Sequence, residues 1–351
     1  HDLGVLLHFQ ELSLKDFIVL NPEWAVNAVY EILRHNEVLA NQGRFDKEML
    51  QQVWTTCHYT AFEQNHLLNL MLKDGLEVCF KARENNRDIY IAPQLLPELR
   101  PALNWPPEGA VLRYTYQYPF MPKGIIGRLI VRLHEHLETQ GGKKTVWEKG
   151  MMLDKDGCKA LVQETEDVIT GLKLIKIEVS GPTPEERRFV LRDITQALDK
   201  IHRDSFFNLK FEQKIPCCCT VCVASPHPYF FDLSYLESLK KNKIPTERCR
   251  VSFKDVAVQD LFDGVFADGV STRGNKEQND LIRNLVAEYK FREALEILLE
   301  SVPEEEKNDV IVLQQRLNKL QKDENLKTRD VPDTEWNSLA KSILDMFTAQ
   351  P

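Results

Sequence analysis

The chain holds 351 residues, 43% of them hydrophobic and 28% charged, with 45 Lys and Arg against 53 Asp and Glu for a formal charge of −8. No apolar run approaches the roughly 20 residues of a membrane helix and no secretory signal is visible, so neither a membrane span nor a secreted scaffold is expected. The acidic balance argues against broad attraction to nucleic acid or anionic lipid, while leaving local basic patches open.

That length suits two or three cores, since domains run to about 100–150 residues each. The chain opens at His1 and passes at once into the apolar run 3–9, which reads as a start inside a larger protein. Short strands are expected at 4–9 and 17–20. Pro22 then suits a first helical position, and Trp24, Ala28, Val29, Ile32 and Leu33 recur at helical spacing to about Arg34. Further helices are expected over 45–54 and 62–72. Two strands follow, 77–81 and 88–92, around the turn Glu84-Asn85-Asn86-Arg87. Helices ending in a hairpin suggest a winged-helix-like unit over residues 1–105.

Pro93, Pro97, Pro101, Pro106 and Pro107 stiffen the next stretch and interrupt regular structure, which places a boundary near 107. Beyond it, Leu112, Tyr114, Tyr116 and Tyr118 alternate with Arg113, Thr115 and Gln117, the pattern of a half-buried strand. Ile125, Ile126, Leu129, Ile130 and Leu133 form an amphipathic helical stripe. Strands follow to residue 180, with Ile175, Ile177 and Val179 on one face. Thr183, Pro184 and Glu186 supply an N-cap, a first-turn proline and the acidic member of a capping box, ahead of the stripe Val190, Ile194, Leu198 and Ile201. This order predicts an α+β layer, two helices against an antiparallel or mixed sheet, over 108–266.

From 275 to 351 only helical stripes appear: Leu281, Leu285 and Val286; Ala294, Leu295 and Leu298; Val310, Leu313, Leu317 and Leu320; Trp336, Leu339, Ile343 and Phe347. An all-α bundle is expected there, with Asp333 and Thr334 capping its last helix.

Among eight cysteines, Cys57, Cys79 and Cys158 sit in apolar patterns as small buried hydrophobes. The dense run Pro216-Cys217-Cys218-Cys219-Thr220-Val221-Cys222, with Cys249 27 positions on, offers four thiolates. Cys219-x-x-Cys222 has the spacing of a metal knuckle, and Cys217 lies on the same side of an extended segment while Cys218 points away. A structural zinc on Cys217, Cys219, Cys222 and Cys249 competes with a buried cysteine-rich strand, and His227 could replace one ligand. Other chemistry is weaker. Gly141-Gly142-Lys143-Lys144-Thr145 lacks the upstream glycine of a phosphate loop and has Lys144 at the hydroxyl position, so a turn between helix and strand explains it. His134 and His136, at i and i+2 on a helix, diverge, and Asp154 and Asp156 beside Gly157 lack a full set of oxygen ligands. The first unit is not visibly basic along any helix, which argues against DNA reading.

Residues 3–9, Leu20-Asn21-Pro22-Glu23-Trp24, Tyr90-Ile91-Ala92-Pro93-Gln94-Leu95-Leu96-Pro97, Met121-Pro122-Lys123-Gly124 and Arg128 to His134, taken in order, resemble the COR region of Roco proteins from residue 1 to about 266. The cysteine stretch looks like the Pro-Cys-x-Cys-x-x-Cys pattern of prokaryotic members. The resemblance implies that residues 1–105 are a partial first COR half that packs on a Roc GTPase in cis, and that 108–266 is the second half, through which members form homodimers. GTP or GDP would then bind only the Roc domain, which this sequence does not contain. The tail, 275–351, resembles bacterial effector-associated domains, death-like helical adaptors. The implied function is a noncatalytic, cytoplasmic dimerisation and relay module with no nucleic-acid partner. A zinc-containing winged-helix DNA-binding regulator and an unrecognised zinc hydrolase are the alternatives.

Overall fold

The computed structural model describes residues 7–8, 18–19, 21–72, 76–103, 105, 109–206, 208–265, 282–301, 307–325 and 333–348. They fall into two units, one ending near residue 267 and the other formed by the tail.

The first unit opens with the two-residue strands β1 (Leu7–His8) and β2 (Ile18–Val19), paired antiparallel. α1 (Pro22–Leu33) starts where expected, with the Asn21 side chain accepting from the Trp24 amide at 3.3 Å and Pro22 occupying the first turn. After α2 (Asn36–Ala40) and β3 (Arg44–Phe45) come α3 (Lys47–Thr56), capped by Asp46, and α4 (Ala61–Met71), whose Thr60 and Glu63 form a capping box. The helices enclose Ala28, Ile32, Leu50, Leu67 and Met71 around Trp54, whose indole N–H donates to the Ala28 carbonyl at 2.9 Å. β4 (Phe80–Glu84) and β5 (Arg87–Ile91) join β3 in the order β3-β5-β4. Asn85 and Asn86, both at positive φ, make the two-residue turn between them.

The larger sheet has seven strands, all antiparallel: β6 (Val111–Tyr118), β9 (Val146–Trp147), β10 (Gly150–Lys155), β11 (Cys158–Glu166), β12 (Lys173–Ser180), β13 (Glu212–Pro216) and β14 (Phe230–Asp232). Their order is β14-β13-β6-β12-β11-β10-β9. Between β6 and β9 lie α5 (Ile125–Leu133) and the hairpin β7 (Thr139–Gln140) and β8 (Lys143–Lys144). α5 and α6 (Pro184–Ser205) cover one face, burying Leu129, Ile130, Val190, Ile194, Leu198 and Ile201 against Tyr116, Val162, Ile175 and Ile177. Thr183 and Glu186 form the capping box read from the sequence.

One expectation fails here. β6 is not half-buried: Thr115 on its other face is 2% exposed, and Arg113 pairs with Glu178 at 3.3 Å. Alternation reports only which residues share a face, and this second face lies within a sheet also covered by Leu103 and Trp105, which pack on Trp147, Met152 and Leu161.

Residues before and after the Pro-rich stretch are closely packed. Phe80, Ala82, Ile91 and Leu96 enter the same core as Ile125 and Leu129. Glu77 pairs with Arg128 at 3.1 Å and with Arg132, and the Asn85 amide donates to the Gly142 carbonyl at 3.0 Å. At the far end of the sheet, Val111 and Val265 form an antiparallel bridge. α7 (Thr220–Val223), α8 (Leu233–Lys241), the hairpin β15 (Thr246–Arg248) and β16 (Asp255–Ala257), and α9 (Val258–Asp263) complete the unit.

In the tail, residues 282–287 are helical, followed by α10 (Phe291–Ser301), α11 (Lys307–Asn325) and α12 (Asp333–Thr348). Leu285, Leu295, Leu298, Val310, Leu317, Leu320, Leu339 and Ile343 are buried together, and Phe291 stacks on Trp336 at 5.9 Å. Leu281 and the side chain of Phe347, both assigned to stripes above, lie outside what is described.

Candidate metal centre

β13 delivers Cys217 to the sheet edge, where its amide donates to the Tyr229 carbonyl at 2.7 Å. The chain then turns through Cys219 and Cys222, the latter on the single turn of α7, while the tip of the β15–β16 hairpin brings Cys249 up from the other side. The four sulfurs lie within 4.8 Å of one another, and Cys222 and Cys249 are 3.6 Å apart. All four residues are buried. Four thiolates at about 2.3 Å from one ion in a tetrahedron would stand about 3.8 Å from each other. The donor set therefore fits a single four-sulfur ion, with no ligand position left over for substrate.

Amide hydrogens surround the sulfurs as they do in metal knuckles. Cys217 Sγ accepts from the Cys219 amide at 3.5 Å, Cys219 Sγ from Cys222, and Cys222 Sγ from Tyr229, both at 3.4 Å. Cys249 Sγ accepts from Val251 and Ser252, each at 3.4 Å. Burial pushes the Cys217 and Cys222 thiols up. At Cys219 and Cys249 burial acts in the same sense but is outweighed by hydrogen bonds, from Ser252 above all, and both fall below the usual thiol range. Without an ion, Cys219 and Cys249 thus ionise more readily than Cys217 and Cys222. Adding a divalent ion releases the remaining protons.

The sequence-nominated cysteines come together, and the other candidates do not join them. Cys218 is buried apart from the four, its thiol pushed up to about 12 by burial and by Asp260. His227 is exposed on the surface. His134 turns its ring toward Phe80, 5.3 Å away, whereas His136 lies near Lys155 and Asp193, so the two diverge. Asp156 and Gly157, both at positive φ, simply turn β10 into β11. Gly141 and Gly142 do the same between β7 and β8, which corrects the expected helix-to-strand turn. The Lys144 amide there is taken by Glu84 Oε1 at 2.9 Å. Cys57, expected to be buried, is only partly so. Sequence reasoning missed Ser252, whose hydroxyl lies 3.3 Å from Cys219 Sγ. Its spacing in Cys249-x-x-Ser252 mirrors Cys219-x-x-Cys222, and that was the available signal.

Comparison with known families places this centre in context. The profile described as C-terminal of Roc, COR-A domain, matches residues 1–96, and that described as C-terminal of Roc, COR-B domain, matches 109–264. The chain belongs to the Roco family. Effector-associated domain 11 matches residues 277–347, so a Roco COR region of prokaryotic type is followed by an effector-associated domain. A Roc-COR-CHAT protease from an unknown prokaryotic organism is 25% identical over 355 residues, 98% of this chain and 30% of that protein. The probable serine/threonine-protein kinase pats1 of Dictyostelium discoideum is 26% identical over 249 residues, 68% of this chain and 8% of the kinase. A Roc-COR-CHAT protease of Runella zeae is 25% identical over 166 residues, 47% of this chain and 16% of that protein. The chain thus spans well under two thirds of each relative. Among the described residues, no helix is long and apolar enough to cross a membrane.

Proposed function

We propose that this chain is the noncatalytic regulatory module of a Roco GTPase, coupling the nucleotide state of an adjacent Roc domain to dimer geometry and to a C-terminal adaptor. The observation that carries the reading is the pair of COR matches, in chain order and nearly contiguous. In this reading residues 1–105 form a winged-helix-like half that contacts Roc in cis, a description supported by the helices α1 to α4 leading into the β4–β5 hairpin. Residues 108–266 form the homodimer surface, and the helices of 275–351 recruit a death-like partner, as the effector-associated match suggests. Zinc on Cys217, Cys219, Cys222 and Cys249 is structural, fastening β13 to the β15–β16 hairpin. The module works in the cytoplasm, where free thiols persist. GTP and GDP bind Roc and not this chain.

Differential contact across a two-fold interface is what lets one GTPase sense another. A stable pairing buries at least about 1,000 Å². Sedimentation of residues 1–274 at about micromolar concentration should give a dimer, and titration of the same protein with GTP should give no binding. A monomer would move self-association to the tail or to Roc, and micromolar nucleotide affinity would overturn the noncatalytic assignment.

A further inference from the structure

The two cysteine knuckles carry apolar side chains outward. Val221 is 46% exposed, Val251 50% and Phe253 71%. They stand close together, because Lys254 Nζ donates to Thr220 Oγ1 at 3.4 Å and Ser252 Oγ meets Cys219 Sγ at 3.3 Å across the gap between the knuckles. The second tip is a closed loop: the Cys249 amide donates to the Lys254 carbonyl and the Phe253 amide to the Cys249 carbonyl, both at 2.9 Å. Phe253 holds φ at 58°, a left-handed conformation that is an outlier for a bulky residue and persists only where the surroundings impose it. An exposed aromatic held this way contributes little to the core.

The stretch of chain that leads into the second tip is opposite in charge to the whole, and Arg250 and Lys254 lie in the tip itself. Residues 240–254 contain Lys240, Lys241, Lys243, Arg248, Arg250 and Lys254 against Glu247 alone, in a protein of net charge −8. All six basic residues are exposed. Glu247 is engaged by the Tyr235 hydroxyl at 2.8 Å, and Arg248 by Asp255 at 3.2 Å. Lys241, Lys243 and Arg250 make no ion pair among the described residues.

We propose that this face docks the protein onto an anionic lipid surface, with Val221, Val251 and Phe253 entering the headgroup boundary and the flanking Lys and Arg side chains meeting lipid phosphates and carboxylates. Exposed apolar tips with Arg250 and Lys254 in the same loop match an interface that is anionic outside and apolar just beneath. A polynucleotide fits less well, since two of the three tips are aliphatic and offer nothing to stack on bases. A protein partner usually covers about 800 Å² per side, more than three projecting side chains provide. The proposal rests on the metal reading only for the stiffness of the loops, so metal content is measured beside binding.

The test is co-sedimentation of the full chain with vesicles of phosphatidylcholine containing about 30 mol% phosphatidylserine, against phosphatidylcholine alone and against a single-stranded oligonucleotide. Binding should require phosphatidylserine and weaken as salt is raised. Arg250→Glu with Lys254→Glu should weaken it by more than about tenfold. Phe253→Gly suits the left-handed backbone and leaves the fold intact, yet should also weaken binding about tenfold, with metal content unchanged in every variant. Absence of vesicle binding, equal binding to neutral vesicles, or variants that bind like the parent would overturn the proposal. Binding to the oligonucleotide alone would overturn it too and assign the face to a polynucleotide. Loss of metal together with loss of binding in the charge variant leaves Phe253→Gly as the deciding measurement.

Discussion

Replacing Glu77 by Gln tests whether charge clamps the first COR segment to α5. The Glu77 side chain is 5% exposed and its two oxygens serve Arg128 and Arg132; Arg132 is itself 12% exposed, with one guanidinium nitrogen lacking a partner. Removing one member of a buried pair costs about 3–5 kcal/mol, because the other is left charged and desolvated. Two features reduce that here. Arg128 is 35% exposed, so water screens its share, and Asp204 lies 3.7 Å from Arg132 and can take over part of the role. A loss of about 2–3 kcal/mol is expected, read as a shift in urea midpoint at constant slope. In an Arg132→Met background the same change should cost under about 1 kcal/mol, since the stranded charge is gone. A loss below about 0.5 kcal/mol, or equal losses in both backgrounds, would refute the clamp.

Metal analysis should find about one zinc per chain; Cys222→Ser should lose it and lower the melting temperature, while Cys218→Ser keeps it. Zinc uptake should release protons from the Cys217 and Cys222 thiols, so affinity should fall as pH falls, which titration calorimetry in buffers of different ionisation enthalpy would register. Burial holds His202 below the ordinary histidine range, so the unfolded chain binds that proton more tightly. Stability is therefore intact above about pH 6.5 and lost as pH falls through it, by up to about 1.4 kcal/mol per pH unit. His136 acts in the same sense and Glu164, raised by burial, in the opposite one. The readout is thus the difference between the parent and His202→Gln in urea midpoints measured at about pH 7.5 and about pH 5.5, and identical pH dependence would refute it. Gly264→Ala would place Cβ 2.6 Å from the Leu112 amide nitrogen at φ 88°, and should cost more than about 2 kcal/mol in thermal or urea unfolding.

What the sequence disclosed was mostly local. The caps at Asn21 and Thr183 depend on residues three apart, and the stripes of α5 and α6 repeat within a few turns, so both could be read directly. Thr115 could not, because its burial depends on a sheet whose other strands lie far along the chain. Glu77 was read as a strand residue; it sits at φ 56°, three residues before β4, and serves arginines more than fifty positions away. At the candidate metal centre, residue type and knuckle spacing were enough to single out the four cysteines whose sulfurs the fold brings within 4.8 Å of one another. The second knuckle was harder, since Ser252 contributes through its amide and hydroxyl, which any serine possesses.

The bridge between Val111 and Val265 bears on how the second COR segment can be handled as a part. The Val111 amide donates to the Val265 carbonyl at 2.7 Å and the return bond is 3.3 Å, so the first and last strand residues of this segment lie side by side. Chain ends that meet in this way permit circular permutation. A few glycines could join 265 to 111, and new termini could open in the exposed turn at 168–171, without disturbing α5, α6 or the cysteines. The antiparallel geometry also sets how force would enter: the chain before Val111 and the chain after Val265 leave the bridge at the same end, so pulling them apart loads this one pair of backbone hydrogen bonds in the unzipping direction.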